Sequence, residues 1–174
     1  MAHGAGASIF FLEELYHAKD QRLVFERELA TGFCEDGVSE SAPARISGSL
    51  TDYSGEIQFR AAVRFFYQTV CDRCLKPIEG VLEFSIDAPV VTDPAKREEA
   101  EGETVVAENE ALDLCEIIRY GVREYLPAKR VCSMTCKGLC PTCGADLNEG
   151  KCSCKKPVDP RLEGLKEFFN ESND

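Results

Sequence analysis

Between Glu56 and Cys71 the chain alternates with a period of two. Ile57, Phe59, Ala61, Val63, Phe65, Tyr67 and Thr69 fall on one side, and Gln58, Arg60, Ala62, Arg64, Phe66 and Gln68 on the other. This is the pattern of a half-buried antiparallel strand, and it runs directly into Cys71. Ile46, Gly48 and Leu50 predict a strand before it, and Val81 to Val91, with Leu82, Phe84 and Ile86 on one face, a strand after it. The three make an antiparallel meander whose last turn is Cys71-Asp72-Arg73-Cys74-Leu75-Lys76-Pro77. Nearer the start, the apolar run Ile9 to Leu12 is followed by Gln21 to Ala30, which reads as a strand of mixed character. Thr31 to Ala44, rich in Gly, Ser, Glu and Pro, reads as a loop.

The period changes after residue 110. Leu114, Ile117, Ile118, Val122 and Tyr125 recur at helical spacing, Asp113 is a good N-cap, and Pro127 disfavours helical geometry at Leu126. A helix over about 113–126 follows, and covering one face of the sheet is its simplest role. The stretch from Glu98 to Glu110 has few large apolar residues and reads as a solvated connection. The expected architecture is α+β: residues 1–127 form an antiparallel β-sheet domain with its covering helix. Residues 128–174 form a cysteine-rich, zinc-binding module ending in an amphipathic tail helix near Leu162, Leu165, Phe168 and Phe169.

Composition narrows the function classes. A chain of 174 residues, 44% hydrophobic, suits one ordinary core plus a small appended module. No run approaches the roughly 20 apolar residues of a membrane helix, and the start lacks the pattern of a signal peptide, so a soluble, cytoplasmic protein is expected. The net charge of −11 opposes diffuse attraction to phosphate backbones. The charge is unevenly spread, however. Acids including Glu98, Glu99, Glu101 and Glu103 dominate between Asp93 and Glu110, whereas Lys129, Arg130, Lys137, Lys151, Lys155 and Lys156 make the cysteine-rich end locally basic. These six are the candidate contacts to RNA or to a partner.

The ten cysteines carry the chemistry. Close pairing without a secretion signal favours metal ligation over a disulfide framework. Cys140-Pro141-Thr142-Cys143-Gly144 has the form of a metal knuckle, its glycine relieving backbone strain after the second thiolate. Cys152 and Cys154, two apart, put both sulfurs on one face of an extended segment, so these four predict a closed tetrahedral site. Cys71 with Cys74, and Cys132 with Cys136, are chelating pairs able to form a second site; reduced thiols, or a redox pair at Cys71 and Cys74, are the other readings. Thiolates exclude calcium and magnesium, leaving zinc or iron, with zinc the expected cofactor. Cys34 and Cys115 read as ordinary thiols, and His3 and His17 have no partner at a recognisable spacing. There is no phosphate-cradling glycine loop or nucleophile elbow, and four thiolates leave no open position on a metal, so no enzyme is expected.

A wider set of residues resembles a known family. Val70-Cys71-Asp72-Arg73-Cys74-Leu75 with Pro77 comes first, then Leu112-Asp113-Leu114 and Tyr125-Leu126-Pro127. Cys136-Lys137-Gly138-Leu139-Cys140-Pro141-Thr142-Cys143-Gly144 follows, with Asp146-Leu147-Asn148, Cys152-Ser153-Cys154 and Asp159-Pro160-Arg161. Over roughly residues 45 to 170 this is similar to the YceD proteins, described as large ribosomal RNA subunit accumulation proteins. The resemblance implies non-catalytic support of ribosomal RNA accumulation and hence of large-subunit assembly. The expected partners are a large-subunit ribosomal RNA precursor, a basic ribosomal protein, or both, with no membrane and no small-molecule substrate. A reading of another class, a thiol redox or metal-responsive regulator using Cys71 and Cys74, stands beside it.

Overall fold

A computed structural model describes residues 8–92 and 104–154. By their contacts these form two compact units, residues 8–70 with 77–92 and 104–130, and residues 71–76 with 131–154. Outside the described residues lie the expected tail helix, Lys155 and Lys156, the acids Glu98, Glu99, Glu101 and Glu103, and His3.

The first unit is built on three long strands, β4 (Val38–Tyr53), β5 (Glu56–Val70) and β6 (Pro77–Val91), the meander that the alternation predicts. Preceding them are β1 (Ile9–Phe11), the short helix α1 (Glu13–Tyr16), β2 (Arg22–Leu29) and β3 (Cys34–Glu35). After them come β7 (Val105–Val106), β8 (Ala111–Asp113) and the helix α2 (Leu114–Tyr125). The main sheet runs β2-β4-β5-β6-β7 with β3 paired to β4; all its pairings are antiparallel except β6 with β7. β1 and β8 form a separate antiparallel pair.

Alternation places Ile57, Phe59, Ala61, Val63, Phe65 and Thr69 on the buried face of β5, opposite Phe84, Ile86 and Ala88 of β6. The core continues through Ile46, Leu50, Leu12, Leu15, Leu112 and Leu114, with the rings of Phe10, Phe25 and Phe59 in sequence at 5.4 and 5.8 Å. Helix α2 starts as its sequence predicts, the Asp113 carboxylate accepting the Cys115 backbone N–H at 2.9 Å. It stops at Leu126, extended (φ −64°, ψ 127°) before Pro127. Its buried residues are Leu114, Cys115, Ile118, Gly121 and Val122, and Tyr125, half exposed, stacks on Phe84 of β6 at 5.1 Å.

Two expectations are corrected. Thr31 to Ala44 is not a loop throughout: β3 and the first residues of β4 form a hairpin in which Glu35 faces Val38 across Asp36-Gly37, both at positive φ (51° and 72°). Polar residues conceal the strand because this end of β4 is irregular, with register shifts between Glu40 and Ala42 and between Ala42 and Arg45. The connection through Glu110 is not wholly solvated either, since Val105 and Ala107 are buried and β7 extends the sheet beside β6.

Candidate metal centres

The second unit brings eight of the cysteines into two groups, Cys71, Cys74, Cys132 and Cys136 in one, Cys140, Cys143, Cys152 and Cys154 in the other. Within each group the four sulfurs lie within 4.8 Å of one another. Of the remaining two, Cys34 is exposed on β3, while Cys115 is buried on α2 with its thiol directed at the Ala30 carbonyl. Burial, then the charge of Asp113, pushes the Cys115 thiol up, which suits an inert core residue.

The two Cys-x-x-Cys turns have the same backbone. In the first, Cys71 N–H donates to the Lys76 carbonyl at 2.8 Å and Leu75 N–H to the Cys71 carbonyl at 2.9 Å. In the second, Cys140 N–H donates to Ala145 at 2.8 Å and Gly144 N–H to Cys140 at 2.9 Å. The residue after the second cysteine is left-handed in both, Leu75 at φ 60° and Gly144 at φ 74°. The tight turn aims backbone N–H groups at sulfur: Cys71 Sγ accepts from Arg73 N–H and from Cys132 N–H, each at 3.4 Å. The second chelating pairs are less regular. Cys132 and Cys136 sit on a turn, with Cys136 N–H bonded to the Ser133 carbonyl at 3.0 Å, and not on a helix. Cys152 and Cys154 lie in irregular chain and not in a strand.

An ion held by four thiolates at about 2.3 Å requires sulfur–sulfur edges of about 3.8 Å. In the first group Cys71 Sγ lies 3.9 Å from Cys136 Sγ, and Cys74 Sγ 3.5 Å from Cys132 Sγ. The cage therefore has the size of a single four-coordinate ion. The thiols also oppose one another's ionisation. Burial raises the cost of charging Cys71, but the N–H groups of Cys132, Arg73 and Cys74 outweigh it and bring this thiol down to about 6. Cys132, facing Cys74 and then Cys136, is pushed up to about 12. In the second group the N–H groups of Cys143 and Thr142 lead in lowering Cys140 to about 6, while Cys154, against Cys143, rises to about 12. One thiolate in each group forms readily and another resists, and a central cation would let all four carry charge together.

The surroundings of the cages were only partly legible. Gly138 (φ 74°) brings its backbone against Arg73, where an added Cβ would sit 2.8 Å from the Arg73 carbonyl oxygen. Arg73 in turn donates to the Cys136 carbonyl at 2.8 Å, and Leu139 N–H to the Arg73 carbonyl at 3.0 Å. Lys76 pairs with Asp146 at 3.0 Å and Glu149 at 3.1 Å, Asp146 leading in raising its ammonium and holding it charged. Asn148, which the sequence marks only as part of the family resemblance, donates to Cys136 Sγ at 3.5 Å. Of the candidate contact bases, Lys137 and Lys151 are exposed in this unit, whereas Lys129 (exposed) and Arg130 (half-buried, donating to the Asp36 carbonyl) belong to the first.

Comparison with known proteins adds a family. The family model described as "Large ribosomal RNA subunit accumulation protein YceD" matches residues 59–169, a stretch that contains both cysteine groups. A maize (Zea mays) protein named "Large ribosomal RNA subunit accumulation protein YCED homolog 1, chloroplastic" is 26% identical over 164 residues. The match takes in 76% of this chain and 56% of that relative, so the chain spans a little over half of its length. No solved structure matches. No helix among the described residues is long and apolar enough to cross a membrane.

Proposed function

The chain belongs to the YceD family, and from that premise we propose that it is a non-catalytic factor for accumulation of large-subunit ribosomal RNA, its two cysteine groups each holding a structural zinc ion. The observation that carries this reading is that both four-thiol cages fall within the stretch matched by the family model. Four thiolates close the coordination sphere and leave no position for water or substrate, which favours a staple over a catalyst. A unit as small as residues 71–76 and 131–154 buries too little apolar surface to fold without one. In the division of labour that follows, the sheet unit is the scaffold, and the cysteine-rich unit, which takes in residues 71–76, presents the working surface in the cytoplasm.

The redox alternative, using Cys71 and Cys74, is the weaker one. A redox thiol needs access as well as a low pKa, and Cys71 is fully buried.

Partner contact falls to the exposed bases of the metal-fixed backbone, Lys137 and Lys151 in particular. Sucrose-gradient sedimentation of tagged protein tests the proposal: the wild type co-sediments with large-subunit precursors, and its loss depresses large-subunit RNA relative to small. Replacing Lys137 and Lys151 together by glutamate weakens association and flattens its salt dependence, with metal content unchanged, if they touch phosphate. If the acidic stretch instead docks a basic ribosomal protein, that pair is nearly silent, and reversing Glu98, Glu99, Glu101 and Glu103 abolishes association. A wild type that never co-sediments, with normal subunit RNA in its absence, overturns the reading.

A further inference from the structure

The two cages are stitched together by a short polar chain. Lys76, two residues beyond Cys74 in the first knuckle, pairs with Asp146, which lies between Cys143 and Cys152 of the second cage. Asp146 Oδ1 accepts from the Asn148 backbone N–H at 2.8 Å and from Asn148 Nδ2 at 2.7 Å. Asn148 Nδ2 uses its other hydrogen on Cys136 Sγ, and Asn148 Oδ1 accepts the Lys137 backbone N–H at 2.8 Å. Every polar atom of the amide is thus engaged. Flipping it would set an NH₂ against the Lys137 N–H and an oxygen against both Asp146 and a sulfur, so the orientation is fixed by chemistry.

Resting on the metal reading above, we propose that Asn148 is a positioning residue that couples the two metal sites. It is carried on the loop closed by the Cys140, Cys143, Cys152 and Cys154 cage, and it donates a hydrogen bond to a ligand sulfur of the Cys71, Cys74, Cys132 and Cys136 cage. A donor to a thiolate stabilises the charged, metal-bound form, and outer partners of this kind set metal affinity by ten- to hundredfold. Metal in the second cage fixes the loop from Gly144 to Lys151 and holds the Asn148 donor at Cys136. Metal in the first cage supplies the charged sulfur that the donor prefers. By linkage each ion raises the affinity for the other by the same factor, so the pair fills and empties cooperatively.

The test is a chelator titration of the full-length zinc-loaded protein, with thiol alkylation mapped by peptide mass spectrometry so that the two cages are read separately. In Asn148→Ala the first cage is expected to release metal at ten- to hundredfold lower chelator concentration. Cys143→Ser, which disables the second cage, is expected to loosen the first in the wild-type background and to add little in the Asn148→Ala background. Asn148→Asp separates the sulfur contact from a loop role. It keeps the acceptor for Lys137 N–H but sets a negative charge against both Cys136 Sγ and Asp146, so it is expected to release metal from the first cage more readily than Asn148→Ala, whereas a purely loop-holding residue loosens the second cage, which closes the loop, at least as much as the first. Unchanged release in Asn148→Ala, or equal loosening by Cys143→Ser in both backgrounds, overturns the coupling alone. Wild-type protein whose clustered thiols are alkylated without any chelator overturns the metal reading itself.

Discussion

Leu75 and Gly144 occupy the same place in two like turns, yet one of them stores strain. A left-handed backbone costs an L-residue about 1–2 kcal/mol, a penalty that glycine escapes. Leu75 adopts it at φ 60° with 61% of the residue exposed, so little burial offsets the cost. Leu75→Gly is therefore expected to stabilise the metal-loaded protein by about 0.5–1 kcal/mol, the strain relieved less the extra chain entropy of glycine. Guanidinium midpoints measure it, and a lower midpoint would mean that the leucine makes a contact worth more than its strain. The same comparison shows what the sequence reveals at this scale. Cysteine spacing picks out the chelating pairs, because chelation geometry is local, whereas the meeting of Cys71 with Cys136, 65 residues on, is the work of the fold. The amide of Asn148 was hidden, since its partner Cys136 lies twelve residues back and is brought near only by the folded loop.

At the level of elements, strands and helix were legible where burial is periodic. β5, β6 and α2 carry clean alternation or helical spacing, and the Asp113 cap is a short-range signal, one hydrogen bond two residues long. Losing that cap in Asp113→Ala is expected to cost about 1 kcal/mol in thermal or denaturant unfolding of the sheet unit, with metal content unchanged. The β3–β4 hairpin is masked by the polar composition of Thr31 to Ala44, although its turn chemistry is local. Asp36-Gly37 is a two-residue turn pair suited to positive φ at both positions, and Ser54-Gly55 does the same between β4 and β5 (φ 58° and 97°). Such pairs mark the two ends of β4, at Val38 and Tyr53. The parallel pairing of β6 with β7 had no comparable sign, because two valines in an acidic stretch carry no period.

For the whole molecule, a net charge of −11 and the proposed role beside ribosomal RNA are reconciled if contact is confined to a small basic surface on a rigid support. On the proposed reading the two cages, once loaded with metal, provide that support. Their ligands come from turns and irregular chain, whose geometry no hydrophobic core of that size would hold. If each cage holds one ion, as proposed, the metal content of the protein reads it out. Native mass spectrometry and elemental analysis of protein purified under reducing conditions, without added metal, should give two zinc ions per chain. Cys143→Ser should keep no more than one and expose the thiols of the second cage while the sheet unit stays folded. Wild-type protein that is folded throughout and carries no zinc, or a Cys143→Ser variant with undiminished zinc, contradicts the account.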